Sequence, residues 1–383
     1  MKKIIYLALI LYVLLSCVHK QEKVDKTIED GVEVILNHLE PYKIPGEPST
    51  FNLEEIFTID TENFELARVG LTDIRCFDVD SKGNIYFLKF RSSTKDNIFK
   101  FDKEGKYIMS FGSTGQGPGE FQYPFHLEVD KQDNIAVTDQ TKPKIMIFNE
   151  DGSLTKEMSI TRPDLRIAIV SCLENGKYIT FGQVTGSYRE EYIQIPLRLF
   201  NAQFEEVKEL ERYNFLNITI TNKRKGTYPI WAWSISKGAV YTGNEERGYE
   251  IWVYDLEGNL IRKIKKEYER VPVSDEYKKA IMEKTPENLK KITFFPDSFP
   301  PYQSFFTDDK GRLFVMTYEE GENPGEFMFD IFNPDGVFIG RKSLNVWIWQ
   351  SLVKAKIKNN LFYCVQEKES GYKKLVVYRM EWE

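Results

Sequence analysis

The sequence predicts an all-β protein: a six-bladed β-propeller, closed by an N-terminal strand that completes the last blade, with a small helical insertion. Three observations support this prediction. Short strands alternate with two series of tight turns, a surplus strand precedes the first unit, and aromatic residues make up 14% of the 383 residues. Because aromatic side chains favour strands, the composition also favours β-structure.

A unit of short strand, tight turn and aromatic-rich strand recurs along the chain. In the first example the turn Asp80–Asn84 precedes the strand Ile85–Leu88, and a second turn follows at Phe101–Gly105. Glycine or asparagine tolerates a positive φ in such a turn, and aspartate or asparagine hydrogen-bonds the nearby backbone. The turns therefore predict hairpins that join successive strands of small antiparallel sheets.

The turns form two series that differ in number. The first series joins the inner strand of each unit to the next strand, at Gly83, Asp133, Gly176, Gly238, Gly311 and Asn359. The second joins an aromatic strand to an outer strand, at Gly105, Gly152, Gln203, Gly258 and Gly336. Six four-stranded units need six turns of each series, so the sixth unit lacks its outer strand. Residues 53–60 form a surplus strand, which we expect to complete the last blade and close the ring.

Long connections are expected, because residues 51–383 supply about 55 residues for each blade against the ~40–45 of a minimal blade. Two connections stand out, the first insertion (214–229) and the second insertion (269–301). Ser274 and Pro286 are typical of helix starts, which predicts two short helices in the second insertion. Blade-to-blade connections share one face of a propeller, so both insertions should lie on that face, where function is commonly carried.

The N-terminus is typical of an exported lipoprotein. A basic start and a short apolar run end in Leu14-Leu15-Ser16-Cys17, and the run is too short to span a bilayer. Residues 1–16 are predicted to be a signal peptide and Cys17 the lipidated first residue of the mature chain. The alternative is an ordinary cleavage site beside an incidental cysteine. The charged and proline-containing residues 17–50 predict a tether, with one short strand at Val32–Leu36.

The second unit resembles an NHL repeat. The residues that carry the similarity are Gly112–Phe121, Tyr123–Pro124, Leu127–Asp130, Asn134–Asp139 and Lys144–Phe148. The resemblance is closest in residues 64–160, although Asp133 replaces the turn glycine there. The whole chain resembles the six-bladed β-propeller lipoproteins of bacteria. This resemblance implies a scaffold that binds a ligand or a protein, with some lyase and lactonase relatives.

Composition excludes several classes of function. The formal net charge of −6 argues against a nucleic-acid binder. Of three histidines only His126 lies in the main body, which argues against a His-based metal site and a Ser-His-Asp triad. Cys76, Cys172 and Cys364 are too few and too scattered for a disulfide framework.

Two glycine-containing motifs lack the residues that their chemistry requires. Asp78-x-Asp80-x-Lys82-Gly83 starts like a calcium loop, but Lys82 and Lys89 occupy positions that need oxygen ligands. The glycines at 115, 117 and 119 precede a strand and lack the Lys-Ser/Thr end of a phosphate loop. Both motifs are therefore interpreted as turns and connections, and we predict no metal and no cofactor.

Aromatic residues collect where inner strands begin on the insertion-bearing face. The ligand-binding candidates are Arg75, His126, Trp231, Trp233, Phe295, Tyr302, Trp347 and Trp349. The rings suit sugar rings, peptides or an aromatic partner surface, while Arg75 and His126 could orient an anion. For each ring, the alternative is packing between blades.

These features predict an exported, lipid-anchored β-propeller that binds a ligand or envelope partner on its insertion-bearing aromatic face. The ligand would be a saccharide, a peptide or an envelope protein, and we expect a monomer that binds no nucleic acid. The lipid anchor would hold it in the bacterial cell envelope, at the outer membrane. The alternative is a metal-dependent hydrolase or lyase at the channel mouth, which convergent carboxylates would favour.

Overall fold

Six sheets arranged as the blades of a propeller form the body of the protein in the computed structural model, which describes residues 24–89, 95–141, 143–346 and 355–383. This architecture confirms the predicted all-β, six-bladed fold. Three strands come first in the chain: β1 (Asp25–Glu29), β2 (Val32–Asn37) and β3 (Phe51–Asp60). Helix α1 (Phe64–Val69) then leads to blade one.

The first three blades are four-stranded antiparallel meanders, each following the chain from the channel outwards. Blade one contains β4 (Cys76–Val79), β5 (Ile85–Leu88), β6 (Asp96–Phe101) and β7 (Tyr107–Ser113). Blade two contains β8 (Pro124–Val129), β9 (Ile135–Asp139), β10 (Lys144–Phe148) and β11 (Leu154–Ser159). Blade three contains β12 (Leu165–Cys172), β13 (Tyr178–Val184), β14 (Tyr192–Phe200) and β15 (Glu206–Leu216).

The insertions flank blade four. The first insertion contains α2 (Ile218–Thr221) and β16 (Arg224–Lys225). Blade four contains, from the channel outwards, β17 (Trp231–Ser236), β18 (Ala239–Asn244), β19 (Glu250–Asp255) and β20 (Leu260–Lys266). The second insertion contains α3 (Asp275–Lys284), α4 (Glu287–Lys290) and β21 (Thr293–Phe294). The Ser274 hydroxyl caps α3 by accepting the Tyr277 N–H at 3.1 Å, as the sequence predicts.

The last two blades complete the ring. Blade five contains β22 (Ser304–Thr307), β23 (Leu313–Glu320), β24 (Phe327–Phe332) and β25 (Phe338–Leu344). Blade six contains β26 (Ala355–Lys358), β27 (Leu361–Glu367), β28 (Lys373–Trp382) and, as its outer strand, β3.

Strand β3 closes the ring by pairing antiparallel with β28, from Phe51 opposite Trp382 to Asp60 opposite Lys374. Phe51 is fully buried, and its ring centroid lies 5.0 Å from that of Trp382. The predicted closure is confirmed, with a strand that begins at Phe51, two residues earlier than expected.

Residues 24–50, here called the N-terminal strap, run along the outer edges of blades four to six. Strand β2 pairs in parallel with β20, and β1 pairs with β2 as the edge of the enlarged sheet. The strand predicted at Val32–Leu36 is therefore present. The prediction of a tether over this part of the chain is wrong, because β2 buries Val34 and Ile35 against the propeller.

Hydrogen bonds fasten the rest of the strap. The Asn37 amide donates to the carbonyl oxygens of Lys265 and Gly336, at 3.1 and 3.0 Å, and its oxygen accepts the Phe338 N–H at 2.8 Å. Further on, Tyr42 N–H donates to the Phe338 carbonyl at 2.8 Å, and Ser49 N–H reaches the Glu383 carbonyl at 2.9 Å. The strap thus connects blades that are distant in sequence.

The turns opposite the insertions show why aspartate and asparagine recur there. One carboxylate oxygen of Asp80 accepts the N–H groups of Lys82 and Asn84, at 2.9 and 2.8 Å. Gly83 adopts a φ of 88°, which favours glycine. The same two-bond pattern recurs at Asp102, Asp130, Asn201, Asp255, Asp308 and Asn333.

Much of the aromatic content packs between neighbouring blades. Phe77 and Phe87 of blade one are buried with Tyr363 and Val365 of blade six, and the Phe77 and Tyr363 ring centroids are 6.5 Å apart. Packing between blades therefore accounts for part of the aromatic excess. Within the described residues, no helix has the length and apolar character needed to cross a membrane.

Candidate functional site

The two insertions meet on one face of the propeller. Strand β16 pairs in parallel with β21, through Arg224 N–H to the Ile292 carbonyl and Gly226 N–H to the Phe294 carbonyl, both at 2.8 Å. The two insertions are thus joined by a short parallel sheet beside blades three and four. Their place in the blade order predicts that they lie on the same face.

A cavity of about 680 Å³, here called the insertion cavity, lies between this structure and the blades. Its walls come from the long β14–β15 hairpin, the first insertion, the 244–246 connection of blade four, and two residues of the second insertion. The aromatic and aliphatic side chains that line it are Tyr192, Tyr213, Phe215, Leu216, Ile218, Tyr228, Ile230, Ile281 and Phe294. This volume lies within the range of ligand pockets, about 300–1,000 Å³.

Polar groups of the cavity wall are held in place by neighbouring residues. Arg224 donates to the hydroxyls of Thr285 and Thr293, at 3.0 and 3.2 Å, while Lys225 forms an ion pair with Glu245. The Asn214 amide donates to Glu246 at 3.3 Å. These contacts orient charged and amide groups at the cavity without filling it.

Thr227 is the polar residue of the cavity wall whose hydroxyl lacks a partner. Its side chain is buried, with 4% of the residue exposed, and no described residue hydrogen-bonds its hydroxyl. A buried hydroxyl without a partner costs about 1–3 kcal/mol. The oxygen has almost no accessible surface, so this hydroxyl is a cost to the fold and is not presented to the cavity.

An aromatic stack supports the second insertion beside the cavity. Tyr277 packs edge-on against Phe299, at 4.8 Å between ring centroids, and Phe299 stacks on Tyr318 at 4.3 Å. Burial raises the pKa of Tyr277 to about 12, so its hydroxyl stays protonated at neutral pH. It donates to the Gly226 carbonyl at 3.4 Å and so links α3 to the first insertion.

A smaller hollow of about 160 Å³ lies in the central channel, between the inner strands of all six blades. Two carboxylates line it, and both have protein partners. Asp78 pairs with Lys356 and accepts the Val129 N–H at 2.8 Å. Glu128 accepts the Cys172 N–H and lies 3.7 Å from His126.

The candidate residues predicted from sequence do not form one site. His126 and Trp233 line the channel hollow, and Phe295 packs over Gly226 in the insertions. Arg75 donates to the Phe125 carbonyl and lies over the Phe125 ring, 3.8 Å from its centroid. Cys17, Trp347 and Trp349 lie outside the described residues.

Two of the predicted aromatic contacts belong to the core. Tyr302 is fully buried beside Tyr249, at 5.1 Å between ring centroids, so its assignment to a ligand-binding surface is wrong. Trp231 stacks on Phe181 at 4.9 Å and meets Phe215 edge-on at 5.8 Å, so it packs between blades three and four. In both cases the aromatic residue at the start of an inner strand points into the seam between blades.

Tyr192 and Thr227 of the insertion cavity are absent from the predicted candidates. Tyr192 begins β14, whose pairing with the eleven-residue β15 extends beyond the usual strand length. A strand of this length could have indicated from the sequence that the β14–β15 hairpin rises above the insertion-bearing face and forms a wall of the cavity. Thr227 has no comparable signal, because only the fold shows that its hydroxyl lacks a partner.

The metal-dependent alternative requires several ligands close together. Within residues 24–89, 95–141, 143–346 and 355–383, no three His, Cys, Asp or Glu side chains are arranged to hold a metal ion. The carboxylates of the channel hollow are instead engaged by a lysine and by backbone N–H groups.

Solved structures similar to this chain include two with a TM-score above 0.5. A Bacteroides fragilis protein whose name classes it as exported has a TM-score of 0.52 and 12% identity, covering 91% of this chain and 99% of its own. A DUF4221 family member from Bacteroides vulgatus has a TM-score of 0.53 and 12% identity, covering 88% and 100%. Virginiamycin B lyase from Staphylococcus aureus reaches only 0.39, with 11% identity over 85% and 99%. At this level of sequence identity, the similarities show a shared fold alone.

No curated protein matches the sequence. The DUF5128 family model, described as a 6-bladed beta-propeller, matches residues 80–315, which is more than half of the chain. The chain therefore belongs to this family of six-bladed β-propellers.

Proposed function

We propose that the protein is an exported, lipid-anchored binding protein that takes an oligosaccharide in the insertion cavity. The observation that supports this most directly is the cavity itself: two insertions that the propeller does not need pair with each other and enclose it. Export is supported by the signal-like N-terminus and by the fold shared with a protein named as exported.

The lining of the cavity favours a sugar chain. Tyr192, Tyr228 and Phe294 expose ring surface at its opening, and rings of this kind pack against the apolar faces of sugars. The Asn214 amide and the Lys225–Glu245 pair provide groups that can hydrogen-bond sugar hydroxyls. A peptide is the competing ligand, and the binding measurement below includes one.

Binding should depend on the exposed ring of Tyr228. Tetrasaccharides of glucose, xylose and N-acetylglucosamine, and an alanine tetrapeptide, are titrated calorimetrically. We expect one saccharide to bind, and Tyr228→Ala to weaken it about tenfold through loss of ring contact. Thr227→Val should leave binding unchanged and the empty protein at least as stable, because it removes a buried, unpartnered hydroxyl that does not face the cavity.

The matched control is Tyr372→Ala, on the same face but in blade six. Tyr372 is 41% exposed and Tyr228 43%, so the two substitutions remove similar exposed rings. The control should bind like the wild type. Binding of the peptide alone, of no saccharide, or equal weakening by both tyrosine substitutions would refute the proposed site.

Lipidation is tested separately with Cys17→Ser. The variant should move from the membrane fraction to the soluble fraction, because it has no thiol to acylate at this position. Lys23→Ala, which keeps the cysteine, serves as the control, and mass spectrometry of the N-terminal peptide reports the acyl groups. A membrane-bound Cys17→Ser protein would contradict the anchor.

A further inference from the structure

The N-terminal strap leaves the propeller at the end of blade four that carries the second insertion. Asp25 lies opposite Leu36, and Leu36 lies opposite Lys265, next to the last residue of β20. The second insertion starts just beyond that residue. The turn between β1 and β2 lies at the other end of the sheet, level with the turn at Asp255–Asn259.

The chain between Cys17 and Asp25 is short. Eight residues span at most about 28 Å when fully extended. The seven residues of β20 correspond to roughly 23 Å of blade height, at about 3.3 Å per residue. A chain that passed along the blade to the opposite face would use most of its length, so the lipid anchor favours an orientation with the insertions towards the membrane.

Exposed apolar side chains are distributed unevenly between the two faces. Those on the insertion-bearing face are Phe64, Tyr188, Tyr192, Ile218, Ile220, Tyr228, Phe294 and Tyr372. Other large exposed apolar residues lie on outer strands, on β1 or just after β2, and none lies in the described turns of the opposite face. Apolar clusters of this kind mark surfaces that meet a partner or a membrane.

Basic residues of this face are concentrated in the first insertion, whereas neighbouring connections carry carboxylates such as Glu190, Glu191 and Glu246. The first insertion contains Lys223, Arg224 and Lys225 and no acidic residue, although the protein as a whole is acidic. Tyrosine, phenylalanine and isoleucine beside lysine and arginine are the combination found where proteins lie in the headgroup region.

We infer that the insertion-bearing face of the lipidated protein lies against the membrane, with Tyr188 and Ile220 in the headgroup region. These residues are 53% and 52% exposed and lie outside the insertion cavity. The inference depends on the lipid anchor but not on the ligand. A cavity that opens on this face would then meet saccharides borne by the membrane or its lipids.

The test uses the full lipidated protein in vesicles of phosphatidylethanolamine and phosphatidylglycerol with brominated lipid as quencher. An environment-sensitive fluorophore is attached at Thr219→Cys, beside the exposed apolar residues, or at Lys103→Cys, in a turn of the opposite face. The native Cys76 and Cys364 are buried, and the half-buried Cys172 is replaced by serine in all labelled proteins. We expect about threefold stronger quenching at position 219 than at position 103.

A second arm adds Tyr188→Ser and Ile220→Ser to the Thr219→Cys protein, and Val207→Ser and Ile261→Ser, on outer strands, as the matched control. The first pair should remove most of the difference in quenching, and the control pair should leave it unchanged. Equal quenching at both labels, stronger quenching at position 103, or equal effects of the two pairs would overturn the inference. Saccharide binding is measured without vesicles, so its result does not depend on how the protein is oriented on a membrane.

Discussion

Deleting residues 51–60 should abolish the cooperative unfolding transition of the whole propeller. Without β3, the outer side of β28 loses its partner strand, and the buried residues Val376 and Val377 become accessible to water. Phe51 also leaves a cluster that includes Phe314 of blade five, so the loss reaches beyond blade six. Urea unfolding followed by tryptophan fluorescence and circular dichroism measures the effect.

The matched control deletes residues 25–29, which also form a strand of the N-terminal segment. All five residues of β1 are exposed, and the strand pairs only with β2. We expect this deletion to change the free energy of unfolding by no more than about 1 kcal/mol. A cooperative transition at an unchanged urea midpoint after removal of 51–60 would show that β3 is not needed for closure.

The substitution Asp330→Ala should lower the free energy of unfolding by about 3–5 kcal/mol, because it leaves the buried Lys266 ammonium without its carboxylate counter-charge. Asp330 accepts the Tyr249 hydroxyl at 2.7 Å and the Arg341 Nε–H at 2.8 Å, and Lys266 Nζ lies 3.5 Å away. Tyr249 and Lys266 come from blade four, so the carboxylate joins two blades. Burial, reinforced by Asp330, raises the pKa of Tyr249 well above its usual range, which keeps the hydroxyl a donor.

Glu54→Ala provides the comparison for this charge pair. Glu54 also pairs with an arginine, Arg379 at 2.6 Å, but both side chains are mostly exposed. Exposed pairs contribute about 0–1 kcal/mol, so this variant should unfold nearly as the wild type does. Similar losses in both variants would mean that burial of the Asp330 cluster does not determine its contribution.

The sequence was sufficient to predict the ring because its signals are local. Each hairpin turn satisfies its own backbone through an aspartate or asparagine, so residues such as Asp80 and Gly83 identify a turn without reference to the rest of the chain. Counting those turns then revealed the missing strand. The strap escaped prediction because β2 pairs in parallel with β20, from Glu33 opposite Arg262, and no local turn signals such a distant partner.

The candidate site was predicted less completely, for a different physical reason. Position in the blade order places both insertions on one face, but the direction of each side chain depends on strand register. Tyr302 is buried in the seam between blades four and five, while Trp231 and Trp233, on the same side of β17, both pack against the cluster between blades three and four, and Trp233 also lines the channel hollow. The pairing of β16 with β21, which encloses the insertion cavity, joins residues about seventy positions apart and follows from no repeat.

The closure strand has a consequence for the order in which the protein folds. Asn52 and Glu383, which hydrogen-bond through their side chains, are 331 positions apart, so the ring closes only after the C-terminus has been synthesised. At about 5–20 residues per second, the start of the chain waits tens of seconds for its partner. During that interval β3, the outer strand of blade six, has been synthesised but the three inner strands of that blade have not. The closed ring therefore forms only after β28 has been synthesised.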